Sequence, residues 1–152
     1  MDGLLSSSLF SGYKLSGSDG SLNLNNSYAV DFGKALLKLY VDWFKENSPK
    51  TSHFNFGADV YGQCIRNPFI ESSQASVTYN RLINYMNDCA EVIEKGGMTA
   101  RCFNDFVCYN KRTTCNLYKT VEVCYWSNQW NGSEYNTPDV ISAAGYQMIN
   151  TS

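Results

Sequence analysis

The stretch 102-CFNDFVCYNKRTTCNLYKTVEVC-124 holds four of the chain's six cysteines. Residues 98–109 and 114–126, rich in Val, Thr, Tyr and Phe with period-two alternation, flank the polar tip Asn110-Lys111-Arg112-Thr113. That pattern predicts two antiparallel strands joined by a turn. A hairpin centred between Lys111 and Arg112 places Cys108 across from Cys115. Opposed residues on adjacent strands bring Cα atoms to about 4.5–5.5 Å, within reach of a disulfide. The same register puts Cys102 on one face with Phe106, Leu117, Val121 and Val123, and Cys124 on the other with Phe103, Val107 and Tyr118. Cys102 is then expected to bond Cys89 on a helix packed over the apolar face, leaving Cys64 for Cys124.

A metal or redox role for these cysteines is disfavoured by spacing. The chain has no C-x-x-C and a single histidine, His53, whereas zinc and thiol-exchange sites need such pairs. An even cysteine set in a chain with only 17% charged residues predicts an oxidising compartment, so the protein is expected to be secreted or periplasmic. The first residues, MDGLLSSSLFSGYKLSG, have an acidic second position and no unbroken apolar run, which does not read as a signal peptide. No segment approaches the roughly 20 apolar residues that span a bilayer, and no membrane insertion is expected. A net charge of −2 argues against a nucleic-acid partner, which needs a basic face. No cofactor signature is present, and none is expected.

Residues 1–27, dominated by Ser, Gly, Asn and Leu, read as a flexible arm with one short docked piece around Leu9, Phe10 and Tyr13. Residues 28–152 read as a single globular domain. From Tyr28, the spacing of Phe32, Leu36, Tyr40 and Trp43/Phe44 predicts an amphipathic helix, capped by Asn26 or Ser27 and stopped by Pro49. Phe54 and Phe56 alternate with polar neighbours as in a half-buried strand. A second helix carries Tyr79, Leu82/Ile83, Met86, Ala90 and Ile93 on one face together with Cys89, and ends at Gly96-Gly97. Thr137-Pro138-Asp139 starts a last helix, with Ile141, Ala144 and Met148 as its buried face. The expected fold class is α+β: amphipathic helices on a small antiparallel sheet with a disulfide-stapled C-terminal hairpin.

No catalytic constellation stands out. Low charge together with eleven Tyr and three Trp predicts a non-catalytic, extracytoplasmic module that binds a protein partner, such as an inhibitor, an immunity-type protein or a host-facing factor. Tyr125, Trp126, Trp130 and Tyr135 are the expected partner surface, because desolvated Trp and Tyr concentrate binding energy. The alternative is a small secreted hydrolase built on His53. It is either a thiol hydrolase with Cys64 as nucleophile, or a ribonuclease-like enzyme drawing on Asp59 or Glu71 and Arg66 or Arg101. Glycosidase carboxylates are not singled out among 14 Asp and Glu residues without a fold to place them.

Overall fold

Strands β2 (Thr99–Phe103) and β3 (Glu122–Tyr125) lie side by side and run parallel, with Arg101 opposite Glu122, Cys102 opposite Val123 and Phe103 opposite Cys124. The computed structural model describes residues 2–18, 20–59, 61, 75–108, 115–126 and 137–151. Strand β1 (His53–Asn55) pairs parallel with the free side of β2, and β4 (Met148–Asn150) pairs parallel with β3. The sheet order is therefore β1-β2-β3-β4.

This parallel sheet corrects the expected antiparallel hairpin and, with it, the α+β class. Parallel neighbours cannot be joined by a tight turn and need a crossover. The chain leaves β2 through a turn at Asp105–Cys108, with Cys108 at φ 54°, and comes back through Cys115–Val121. Much of this crossover is buried, so its backbone groups need partners. Side chains supply them. The Tyr79 hydroxyl donates to the Phe106 carbonyl at 2.9 Å, and the Tyr146 hydroxyl lies 3.1 and 2.9 Å from the carbonyls of Cys115 and Leu117. Asn87 clamps the same segment twice, donating to the Asn116 carbonyl and accepting from the Tyr118 N–H, each at 2.9 Å.

The staples are corrected too. Cys89, Cys102, Cys108, Cys115 and Cys124 are free thiols, and Cys64 lies outside the described residues. Cys89 hydrogen-bonds Tyr85 rather than bonding Cys102, and burial pushes its thiol up to about 12. Cys108 and Cys115 do meet, as the sequence anticipates, but as thiols sharing a hydrogen bond that favours the thiolate of Cys115 and disfavours that of Cys108.

Two long helices cover one face of the sheet. Helix α3 (Ala75–Lys95; α1, Asp2–Leu5, and α2, described below, precede it) buries Tyr79, Leu82, Ile83, Met86, Ala90 and Ile93, the face anticipated from its spacing. Ala100, Cys102 and Val123 meet that face in the main core. Helix α2 (Ser27–Asn47) begins where the Asn26 side chain accepts the N–H groups of Tyr28 and Ala29. Its packed face is only partly the expected one: Phe32 and Phe44 pack against the core. Ala29, Gly33 and Val41 are buried, whereas Tyr40 and Trp43 are each 53% exposed. Ahead of α2, Phe10 and Tyr13 pack on Phe32, and Leu5 and Leu22 close over Ala29. The short α4 (Pro138–Ala143) buries Ile141, while Met148, expected on this helix, belongs to β4.

The opposite face of the sheet carries His53, Asn55, Arg101 and Glu122, with the Arg101 guanidinium 2.7 Å from Glu122. Strands in sequential parallel order, helices on one face and a polar opposite face describe an arc of a singly wound (β/α) barrel. Close helix packing depends on Gly33: a Cβ there would collide with the Tyr85 hydroxyl and lie 2.9 Å from Leu22 Cδ2. Gly33→Ala is therefore expected to lower stability by ~1–3 kcal/mol despite alanine's better helix propensity. Urea denaturation measures this, and an unchanged midpoint would show that α2 and α3 are not packed this closely.

Candidate functional site

Because all four strands run parallel, their C-terminal ends lie along one rim of the sheet. In (β/α) barrels the loops leaving that rim build the site. The polar side chains described along this rim include Asp59, Asn104, Asp105 and Trp126.

Beyond β1 the backbone turns sharply. Gly57 and Ala58 both adopt positive φ, 87° and 66°, and for alanine that conformation is strained. The turn is held by the Asn55 side chain, which accepts the Gly57 N–H at 2.8 Å, and by the Gly57 carbonyl, which accepts from Phe103 N–H of β2 at 2.8 Å. The outcome is an exposed carboxylate, Asp59, at the rim.

Beyond β2, Asn104 and Asp105 are buried, at 0% and 4% exposure. Both reach across to the end of β3. Asn104 Oδ1 accepts the backbone N–H of Trp126 at 3.0 Å, and Asp105 Oδ2 accepts its indole Nε1–H at 2.7 Å. Burial pushes the Asp105 carboxyl up to about 6. The Trp126 hydrogen bond opposes the shift and the nearby Asp59 charge adds to it. Beyond β4, the Thr151 N–H and hydroxyl both bond the Tyr125 carbonyl, at 2.8 and 3.0 Å, and tie the last two strands together. A largely apolar groove of about 750 Å³ runs between α2, α3 and the end of β1, lined by Leu36, Phe54, Phe56, Leu82 and Met86 and reaching Asp59 at the rim.

The residues anticipated from the sequence are scattered. His53 starts β1, at the opposite end of the strands from Asp59. Its Nδ1 lies 2.7 Å from Ser52 Oγ and its Nε2 3.6 Å from Glu122. Arg101 is engaged by the same Glu122, while Cys64, Arg66 and Glu71 lie outside the described residues. Of the expected partner surface, Tyr125 ends β3 and Trp126 follows it, and Trp130 and Tyr135 lie outside the described residues. Asn104 and Asp105 were missed. The available signal was a polar Asn-Asp pair interrupting the apolar run Phe103–Val107.

No protein-family model matches the sequence. The fold is similar to solved structures of the pneumococcal virulence factor StrH. One, concerned with N-glycan recognition and hydrolysis, is 29% identical with a TM-score of 0.77. Another, of the tandem GH20 catalytic modules of the pneumococcal exo-β-D-N-acetylglucosaminidase StrH, is 30% identical with a TM-score of 0.76. Each match covers 88% of this chain and 32% of the StrH chain, so this chain spans about a third of their length. Dispersin B shares the fold at 19% identity and a TM-score of 0.68, over 93% of this chain and 40% of its own. These neighbours overturn the expected protein-binding module, inhibitor or immunity-type protein. The StrH structures are of glycan-hydrolysing modules. Among the described residues, no helix is long and apolar enough to cross a membrane.

The buried Asp105 carboxyl has a consequence for stability. Its ordinary value in an unfolded chain is about 3.9, against about 6 here. Between those values the folded protein holds a proton that the unfolded chain has released, so this group's contribution to stability falls as pH rises through that window. Asp105→Asn, which cannot ionise, should match the parent near pH 4 and exceed it above pH about 6. Thermal melts across pH 4–8 measure the difference, and a gap that does not change with pH would contradict the assignment.

Proposed function

We propose that this chain contributes the sugar-binding rim of a barrel glycoside hydrolase acting on extracellular glycans that carry N-acetylglucosamine. The reading rests on the meeting of Asp59, Asn104, Asp105 and Trp126 at the C-terminal ends of adjacent parallel strands. It is supported by the likeness to StrH GH20 modules. Trp126, half-buried and fixed through its indole N–H, offers an aromatic wall of the kind that lines small-molecule sites. Asp59, the exposed carboxylate beyond β1 whose charge acts on Asp105, is assigned to the polar side of the sugar, accepting hydroxyl or acetamido N–H groups. Glycoside hydrolysis usually employs two carboxyl groups, but GH20 enzymes are substrate-assisted, so a group of the substrate stands in for one of them. Asp105, buried and engaged by Trp126, is assigned to support rather than to contact with the reacting bond.

Saturation-transfer NMR and calorimetry with N-acetylglucosamine and its β-1,4 disaccharide test the reading. Binding by the parent chain is expected, with galactose bound more weakly. Trp126→Ala should weaken affinity at least about tenfold, the equivalent of ~1.4 kcal/mol. Asp59→Asn should likewise weaken N-acetylglucosamine binding by about tenfold, the equivalent of ~1.4 kcal/mol. Equal affinity in Trp126→Ala, or no sugar binding by the parent, would refute the reading.

A further inference from the structure

We infer that Asp105, seconded by Asn104, is a positioning residue that sets the angle of the Trp126 indole at the rim and grips it less tightly when protonated. Calling that indole a sugar wall rests on the glycan reading above, whereas the clamp itself rests on geometry.

An indole has one polar atom, its N–H. In Trp126 that atom is held by Asp105 Oδ2 at 2.7 Å, at the short end for a bond from N–H to a carboxylate. The backbone N–H of the same residue is held by Asn104 Oδ1 at 3.0 Å. Two consecutive residues of β2's exit therefore grip one residue of β3's exit, one at the main chain and one at the ring. With both ends fixed, the ring cannot change rotamer without breaking a hydrogen bond.

The choice of acceptor is informative. Aspartate is almost never this buried unless paired, and a neutral amide would satisfy an indole N–H without burying a charge. At 4% exposure, a carboxylate acceptor makes a stronger, charge-assisted bond, at the cost of depending on ionisation. Among the described residues, two other ionisable groups bear on Asp105. Asp59, from the turn after β1, raises its carboxyl further, and the Cys102 thiol on β2 is itself raised by the Asp105 charge. From β3 it faces the uncharged Trp126 ring. Ionised at neutral pH, the carboxylate holds the indole. Protonated in mild acid, it keeps only a neutral acceptor, and the grip loosens.

The test is the ¹H–¹⁵N spectrum of the uniformly labelled chain, with indole resonances assigned through Trp126→Phe and Trp43→Phe. Trp43, exposed on α2, is the internal control. The Trp126 Nε1–H resonance should move with pH around a midpoint of about 6, while that of Trp43 stays fixed. Asp105→Asn should abolish the movement yet keep the resonance away from its position in denatured protein. Asp105→Ala should bring it close to the Trp43 position and speed its exchange with water. Should Asp105→Ala not fold, the parent and Asp105→Asn titrations decide alone. A pH-independent Trp126 resonance in the parent, or the same titration in Asp105→Asn, would overturn the clamp. In parent chain that binds N-acetylglucosamine, Asp105→Ala should weaken binding about tenfold and Asp105→Asn should restore most of it. Absence of sugar binding would strike the glycan reading and leave the indole titration to judge the clamp.

Discussion

Parallel pairing of β2 with β3 is the constraint on which the rest of the molecule depends. It obliges the chain to leave the sheet at one end after β2 and re-enter it at the other before β3. The described parts of that crossover contain no helix to absorb their own backbone hydrogen bonds. Tyr79 and Asn87 from α3, and Tyr146 from the segment before β4, supply partners instead. Each is buried, and each holds a main-chain group that would otherwise cost about 1–3 kcal/mol to leave unpaired. The described parts of the crossover are thus held by side chains at long sequence separation.

The same pairing creates the site. In an antiparallel hairpin, the exit of the first strand and the exit of the second fall at opposite ends, and Asp105 would be a strand's length from Trp126. With the strands parallel, both exits share a rim and the carboxylate reaches the indole. Fold and chemistry are linked through strand direction alone.

Strand direction is also what the sequence conceals. Helix α3 was readable because its apolar spacing has one solution, and Tyr79, Met86 and Ile93 are buried as that spacing requires. Helix α2 was readable in extent and, through Phe32 and Phe44, only partly in orientation. Small residues, Ala29 and Gly33, make its closest contacts, and a search for large apolar residues lands on Tyr40 and Trp43, which face outward. For residues 98–126, alternation and β-branched content mark extended chain without stating which way a neighbour runs. Six cysteines then favoured a hairpin that disulfides could staple. The buried thiols instead act as small apolar side chains, a frequent use of free cysteine: Cys102 packs among Ala100 and Val123 in the core. His53 drew attention by being the only histidine, yet it serves a polar layer with Glu122 at the far end of the strands. Asn104 and Asp105 looked ordinary because their significance comes from their place at the exit of a parallel strand.

Backbone NOEs across β2 and β3 test strand direction most directly. Parallel pairing predicts cross-strand Hα–HN contacts linking residues 101–103 with 122–124 in the register that sets Cys102 against Val123, and no close Hα–Hα pairs. Short Hα–Hα contacts joining residues 102–108 with 115–121, centred on Cys108 and Cys115, would establish the hairpin instead and remove the rim on which the site is built.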